Sequence, residues 1–546
     1  MSAAGAEHPG GSGRRTPEAI RSPERQQTER LGAPGMAERV LRGVAAMSVV
    51  AIVSYIGQFL VIPIGMHAWG PARYGEWTSL SALVAFLTMT DLGVQSHVVN
   101  RMCAHHARGD HDLFLADLHS ALRLQAPLAI GIWVLAAIVT AVLPLETWLG
   151  ITTATHLETY LTLALLGIEL LMGVPLGAVR GTYRATGQLV RAAYLTALKR
   201  AVEMALPAAL MLAGARFPVV ALARVVWALA LDAYVLRDLH RQNPWFRLTP
   251  LGGDRAAGLR MLAPGALFLL AGLGEFLANQ GNLLVVQSVI GGEEVSRFTT
   301  HRNIANMGRM LSIQFTTVVW PELTALDALG DPSRLVRAHR TTAKLSGFVI
   351  GLALLGFLPL AEPVYSAWTL KKLSLDFPTL GMLVTQAILW GFWGVGSTAL
   401  LATNRQGRVA VLLTANAALV FALSVLLVPR FGMRGVAAAA LLADLALAAW
   451  IVPRAACQAL GDRFSGYARE ILGALGLGLL VPAAASAVLW FFLPEGLLRA
   501  IVVPPVFGAL ALLLFWIALA PEERETARGI AGKIRRKLGG TRGDAA

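Results

Sequence analysis

The chain has 546 residues, of which 55% are hydrophobic and only 15% charged, with a mean hydropathy of +0.59 and a formal net charge of +14. Soluble domains carry about a quarter charged residues, so a water-soluble globule is excluded. The basic excess does not point to nucleic acid either: it lies in short segments between apolar runs and in the two tails, where membrane proteins collect Arg and Lys on the cytoplasmic side.

Residues 1–38 are polar and rich in Gly, Pro, Arg and Glu, with no apolar stretch before position 43. They read as a disordered cytoplasmic tail, not a cleaved signal. Fourteen apolar windows follow, most of them long enough to cross a hydrocarbon core of about 30 Å. They cover 43–66, 77–98, 124–145, 158–179, 201–215, 217–236, 262–289 and 298–320, then 345–366, 379–402, 409–429, 432–453, 471–493 and 500–520. The fifth is short and starts at Lys199-Arg200, and the eighth is polar enough for hydropathy alone to miss it. A basic tail, 521–546, closes the chain with Lys533-Ile-Arg-Arg-Lys537, suited to anionic lipid.

Charge bias checks the count. With the N-terminus inside, the cytoplasmic connections hold 22 Arg and Lys against 7 in the outer ones, and both tails then lie inside. A miscounted span would invert every later loop. Two cysteines, Cys103 and Cys457, are too few for a disulfide framework and fall on the cytoplasmic side.

An internal repeat is also visible. Gly70-Pro-Ala-Arg-Tyr-Gly75-Glu-Trp77-Thr78, in the first outer loop, is echoed by Gly291-Gly-Glu-Glu-Val-Ser296-Arg-Phe298-Thr299. Thr182-Tyr-Arg-Ala-Thr-Gly187 is echoed by Ala402-Thr-Asn-Arg-Gln-Gly407 at nearly the same separation. The pattern predicts an all-α polytopic protein with an N-terminal lobe of six spans (39–240), a C-terminal lobe of six (241–455) and two extra helices (456–520). Two related halves around a central site are a common transporter plan.

The chain resembles the polysaccharide-lipid flippases, the O-antigen translocase type, of the multidrug/oligosaccharidyl-lipid/polysaccharide exporter superfamily. The residues that carry the resemblance are Arg73-Tyr-Gly-Glu-Trp77, Thr90-Asp-Leu-Gly93, Asn279-Gln-Gly-Asn282 through Trp320-Pro-Glu322, and Pro429-Arg-Phe-Gly-Met-Arg-Gly435. It spans about residues 38–520 and implies two lobes like those of the multidrug exporters. It also implies a bacterial inner-membrane flippase that moves an undecaprenyl-diphosphate-linked oligosaccharide outward, with polysaccharide polymerase and related assembly proteins as possible partners. The same superfamily contains lipid II flippases and drug exporters, and the chain carries Asn279 or Asn282 where many relatives have an acidic residue.

Such a cargo needs a wet, cationic path for its head group, and charges inside the membrane mark where that path runs. In span eight, Arg302, Asn306 and Arg309 fall within a 60° arc of one helix face, and paired arginines suit a diphosphate. Glu275, Asn279 and Asn282 form a stripe on span seven. A plain internal ion pair between Glu275 and an arginine of span eight is the competing reading. Asp91, Glu169 and Asp232 are candidates for ion coupling, with Asp444 of span twelve as ambiguous as they are. Gly347, Gly351, Gly391, Gly394 and Gly396 read as close packing between helices. No phosphate-binding loop, metalloprotease or nucleophile-elbow motif is present, and no metal or cofactor is implied. A cationic-drug exporter would favour carboxylates over arginines in its cavity. A membrane-embedded polymerase or ligase would need a sizeable outer loop, and every outer connection is about a dozen residues or shorter.

Overall fold

The computed structural model describes residues 34–85, 94–249, 252–262, 273–274, 276–403, 405–494, 497–525 and 528. Its regular elements are helices. α1 (Pro34–Ala85) is two helices joined across Gly70, whose φ of 80° breaks the ladder. α2 (Val94–Arg108), α3 (His111–Val142), α4 (His156–Ala185), α5 (Leu189–Leu212) and α6 (Phe217–Gln242) complete the first group. A π turn, Leu277–Gly281, leads into α7 (Asn282–Val289), followed by α8 (Gly292–Ala328), α9 (Pro332–Phe357), α10 (Phe377–Ala402) and α11 (Gln406–Phe431). α12 (Met433–Ala443) and α13 (Ala449–Leu460) are one rod interrupted by a π turn at Asp444–Ala448. α14 (Phe464–Leu475) and α15 (Val481–Phe492) are joined in the same way at Gly476–Leu480, and α16 (Leu497–Ala518) is last.

Nine helices among the described residues are long and apolar enough to cross a membrane. The protein is a polytopic, all-helical membrane protein. The helices outrun their apolar windows at the polar ends. α3 starts thirteen residues before the hydropathic span, and there Phe114, Asp117, Leu118 and His119 are buried in a layer with Val98, Tyr183, Leu239 and Phe246. α5 corrects the sequence reading most. It begins at Leu189 and carries Lys199, Arg200 and Glu203 within one continuous helix, so its charges, not a late start, shorten the apolar window.

Helix starts are set by local chemistry. Thr155 caps α4, its hydroxyl accepting from the Glu158 amide at 3.2 Å. Asp376 caps α10, accepting from the Thr379 amide at 3.0 Å. Each satisfies a donor that the first turn leaves free. The two caps lie in corresponding third connections of the sequence repeat, before α4 and α10.

Helix packing between the first six spans and the later ones runs chiefly through α1, against α8 and α7. The contact is centred on the repeated loops. A Cβ on Gly75 would sit 1.7 Å from the Gly292 carbonyl oxygen, and one on Gly292 would sit 2.3 Å from that of Ala72. Ser296 donates to the Pro71 carbonyl at 2.7 Å. The sixth residue of each motif therefore touches the second residue of the other. Around this point Lys372 donates to the Met66 carbonyl at 2.7 Å, Trp368 to that of Phe59 at 2.8 Å and Ser79 to the Gln287 side chain at 3.0 Å.

α14 and α16 pack on α9. Arg340 pairs with Asp462 and, at 2.6 Å, with Glu470; Lys344, 1% exposed, reaches Glu470 at 2.8 Å and Glu523 at 2.6 Å. Phe348 stacks on Phe515 at 3.7 Å. Gly347 and Gly351 let Leu475 and Leu479 approach, and Gly391 lies against Gly347, so these glycines serve close packing, as read from the sequence.

Candidate functional site

α8 is one unbroken helix, so Arg302, Asn306 and Arg309 do share a face. Arg302 donates to the Asn279 main-chain carbonyl at 2.5 Å and lies over the Phe298 ring at 5.7 Å. That carbonyl belongs to the π turn Leu277–Gly281, where widening frees backbone acceptors from the regular α ladder. The π turn also alters the stripe expected on span seven. Its residues advance by less than 100° each, so Asn279 and Asn282 do not keep α spacing; Asn282 is buried while Asn279 is partly exposed. Glu275 lies outside the described residues, and so does Asp91. One residue along α8, Asn303 accepts from Gln58 of α1 at 3.0 Å, which places this side of α8 against the first half of the chain.

Arg309 turns toward α10. Its guanidinium lies 5.0 Å over the Trp390 ring, a cation–π contact worth about 2 kcal/mol when desolvated. Within its electrostatic reach is Asp444, 1% exposed and placed at the start of a π turn. Asp444 accepts from Gln386 of α10 at 2.9 Å and from Asn416 of α11 at 2.8 Å. The three spans thus converge on one buried carboxylate held by neutral amides.

The first half gathers charge differently. Glu169 of α4 pairs with Arg224 of α6 at 2.9 Å, and Asp232 of α6 accepts from Arg180 of α4 at 3.0 Å. On α5, Lys199 pairs with Glu203. Further along, Asp238 takes Arg191 at 2.7 Å and the Tyr183 hydroxyl at 2.6 Å. The candidates Glu169 and Asp232 are therefore each tied to an arginine of a neighbouring helix. Arg224 and Asp232, too far apart on α6 to pair with each other, both reach across to α4. Sequence reading missed Arg180, Lys199 and Glu203 because Arg180 and Lys199 stand beside polar turns and looked like loop charge. The i, i+4 spacing of Lys199 and Glu203 was the available signal.

At the Gly70 end, Glu76 is 1% exposed and accepts from the amides of Thr152 and Thr153 at 2.7 and 3.0 Å. Arg73 holds the same loop through the Thr153 carbonyl at 2.9 Å and Glu158 at 2.5 Å. The Arg73–Trp77 motif is thus a clamp on the connection before α4. On the other half, Asp376 is gripped by Arg434 at 2.6 Å. Burial alone would push the Asp376 carboxyl up, but Arg434 and Thr379 hold it down at about 2.

No protein-family model matches the chain, and no curated protein matches it by sequence. Solved structures do match its fold. A lipid II flippase, MurJ, in an inward closed conformation, aligns over 90% of this chain and 99% of its own, with a TM-score of 0.65 at 10% identity. An inward-facing multidrug-resistance transporter of the MOP superfamily aligns over 76% of this chain and 94% of its own, with a TM-score of 0.59 at 15% identity. A MOP superfamily transporter from Pyrococcus furiosus, described as having a binding pocket of reversed polarity, aligns over 78% of this chain and 95% of its own, with a TM-score of 0.52 at 15% identity. At these identities the likeness establishes a shared fold.

Proposed function

We propose that the protein is a flippase that carries a polyprenyl-diphosphate-linked oligosaccharide from the cytoplasmic to the outer leaflet of a bacterial inner membrane by alternating access. The observation that carries this reading is the arginine pair of α8. Arg302 and Arg309 share one face, and Arg302 is held by a carbonyl and Arg309 by a ring. Two guanidinium groups on one helix face suit a diphosphate, which they can hold by charge-assisted hydrogen bonds. Asn279 and Asn306, both partly exposed beside the pair, offer hydrogen bonds to sugar hydroxyls. Asn282 stands behind them.

The state of the molecule supports the same reading. The tight contacts between the two halves cluster at the Gly70–Gly291 end. Under the topology expected from charge bias that end is outer, so the halves are joined on the side away from the one where the cargo is made. The two lobes (39–240 and 241–455) would rock about this contact, with the extra helices 456–520 travelling on α9. Lipid II, the substrate named for one structural neighbour, is the second reading, because it too offers a polyprenyl diphosphate.

The test is the sidedness of the lipid-linked glycan in cells lacking the protein, read with an impermeant sugar-modifying enzyme on spheroplasts. Glycan made but protected inside, and exposed on re-expression, is the expected outcome. Normal exposure of O-antigen-type glycan with lipid II trapped inside selects the second reading. Normal exposure of both overturns the proposal.

A further inference from the structure

Among the described residues, one group of charges on α4, α5 and α6 holds more cations than carboxylates. Lys199 and Arg200 are neighbours on α5 and share Glu203; Lys199 pairs with it, and Arg200 lies 3.9 Å from it. Glu169, Arg180 and Arg224, the arginines already paired with Asp232 and Glu169, all bear on the charge of Lys199. Among the described residues, then, four cations meet three carboxylates. Like charges gathered at a partly desolvated site repel, and uncompensated charge within a membrane costs several kcal/mol. One further negative charge would balance the set.

A ligand can reach the cluster. The side chain of Arg200 is 57% exposed, that of Arg180 28% and that of Lys199 26%. Arg200 lies one turn before Met204, whose side chain occupies the space a Cβ on Gly57 of α1 would need. By helical spacing, Arg200 and Met204 share a face. The cluster therefore borders α1, the helix through which the two halves touch.

We infer that Lys199, Arg200 and Arg180 form a second anion site for a phosphate-type oxyanion, separate from the arginine pair of α8. The site goes beyond the transport reading and does not depend on Arg302 or Arg309. An anionic head group arriving at α5 would be held by Lys199 and Arg200, with Glu203 as the resident counter-charge that it displaces. The source of the oxyanion is a soluble phosphate, a cargo diphosphate or a phospholipid head group, which share this chemistry.

The experiment is calorimetric titration of the full chain in phosphatidylcholine nanodiscs with inorganic pyrophosphate, in an Arg302→Ala/Arg309→Ala background that silences the other pair. Binding should persist there, weaken about tenfold or more in Lys199→Met/Arg200→Gln, and tighten in Glu203→Gln, because removing a competing carboxylate favours an added anion. A purely structural role for the cluster predicts that the Glu203 variant binds no better than its parent, so the opposite sign separates the two. No binding in the parent background, unchanged binding in the lysine–arginine variant, or no tightening in Glu203→Gln each overturns the inference. The first of these leaves the α8 assignment to its own transport test. With the site in place, repeating the titration in phosphatidylglycerol discs identifies the source: lower apparent pyrophosphate affinity assigns it to lipid head groups, and unchanged affinity to soluble or cargo phosphate.

Discussion

Glu169 and Trp390 occupy the same place in two halves of the molecule. Each lies fourteen residues beyond the side-chain cap of its helix, Thr155 for α4 and Asp376 for α10, and each meets an arginine. In the first half a carboxylate cancels Arg224 at 2.9 Å. In the second, a ring holds Arg309 at 5.0 Å, and the buried Asp444 lies within its electrostatic reach. The comparison teaches that one scaffold position can meet an arginine either with a carboxylate that neutralises it or with a ring that orients it. That second arrangement suits an anion-carrying face.

The largest expected effect falls on the arginine pair of α8. Arg302→Ala/Arg309→Ala should lower transport by about a thousandfold, two charge-assisted contacts of about 2 kcal/mol each, while the protein still purifies as a folded monodisperse species. Transport within tenfold of wild type would remove the contrast between the halves. Next, Glu169→Ala should cost about 3 kcal/mol of stability by stranding Arg224, seen as a lower unfolding temperature, whereas Glu169→Leu/Arg224→Met should recover most of it. If the double variant is no better than the single one, the pair does not neutralise as described. Asp444→Ala should cost about 2 kcal/mol because the Gln386 and Asn416 amides lose their acceptor, and Asp444→Asn clearly less. Equal losses in the two would show that packing, not hydrogen bonding, holds that carboxylate.

Smaller still is Trp390→Leu, expected to cost about 1 kcal/mol of cation–π energy and a few-fold in transport. A Phe in its place should restore part of both. The smallest effect concerns the cap itself. Asp376 has a lower pKa folded, about 2, than its ordinary 3.8. Its contribution is therefore present above pH 4 and is lost as pH falls from about 4 to 2. The unfolding temperature of the wild type should drop in that window by more than that of Asp376→Asn. Parallel curves would show that the Arg434 contact contributes nothing.

Much of this was legible in the sequence for plain physical reasons. Hydropathy shows a multi-pass helical protein because a bilayer tolerates little else. The repeat showed itself through glycines at turns of positive φ, Gly70 and Gly291, where a side chain would strain the backbone. The face shared by Arg302, Asn306 and Arg309 followed from regular α spacing, and α8 is regular. What spacing could not supply is a change of pitch. The π turn at Leu277–Gly281 moved Asn279 and Asn282 off their expected stripe, and no residue type announces such a turn. Long-range partners were equally hidden: Arg180 looked like loop charge until a helix 52 residues away brought Asp232 to it. Trp390 carried no sign that an arginine would lie on its ring.

The contact between Gly75 and Gly292, answered by Ser296 on Pro71, has a form worth following back in time. It is isologous in kind: the same patch, used twice, meets itself. A single ancestral six-helix chain bearing that motif would have been self-complementary, able to pair with a second copy in the same orientation about a twofold axis along the membrane normal. Fusion of two copies would then have preserved an interface already in use, and each copy became free to drift. The two copies differ at the contact itself, with a glycine, Gly75, at the sixth position of one and a serine, Ser296, in the other. A fused protein can divide labour in a way a symmetric dimer cannot, with a carboxylate facing the arginine in one half and an aromatic ring in the other.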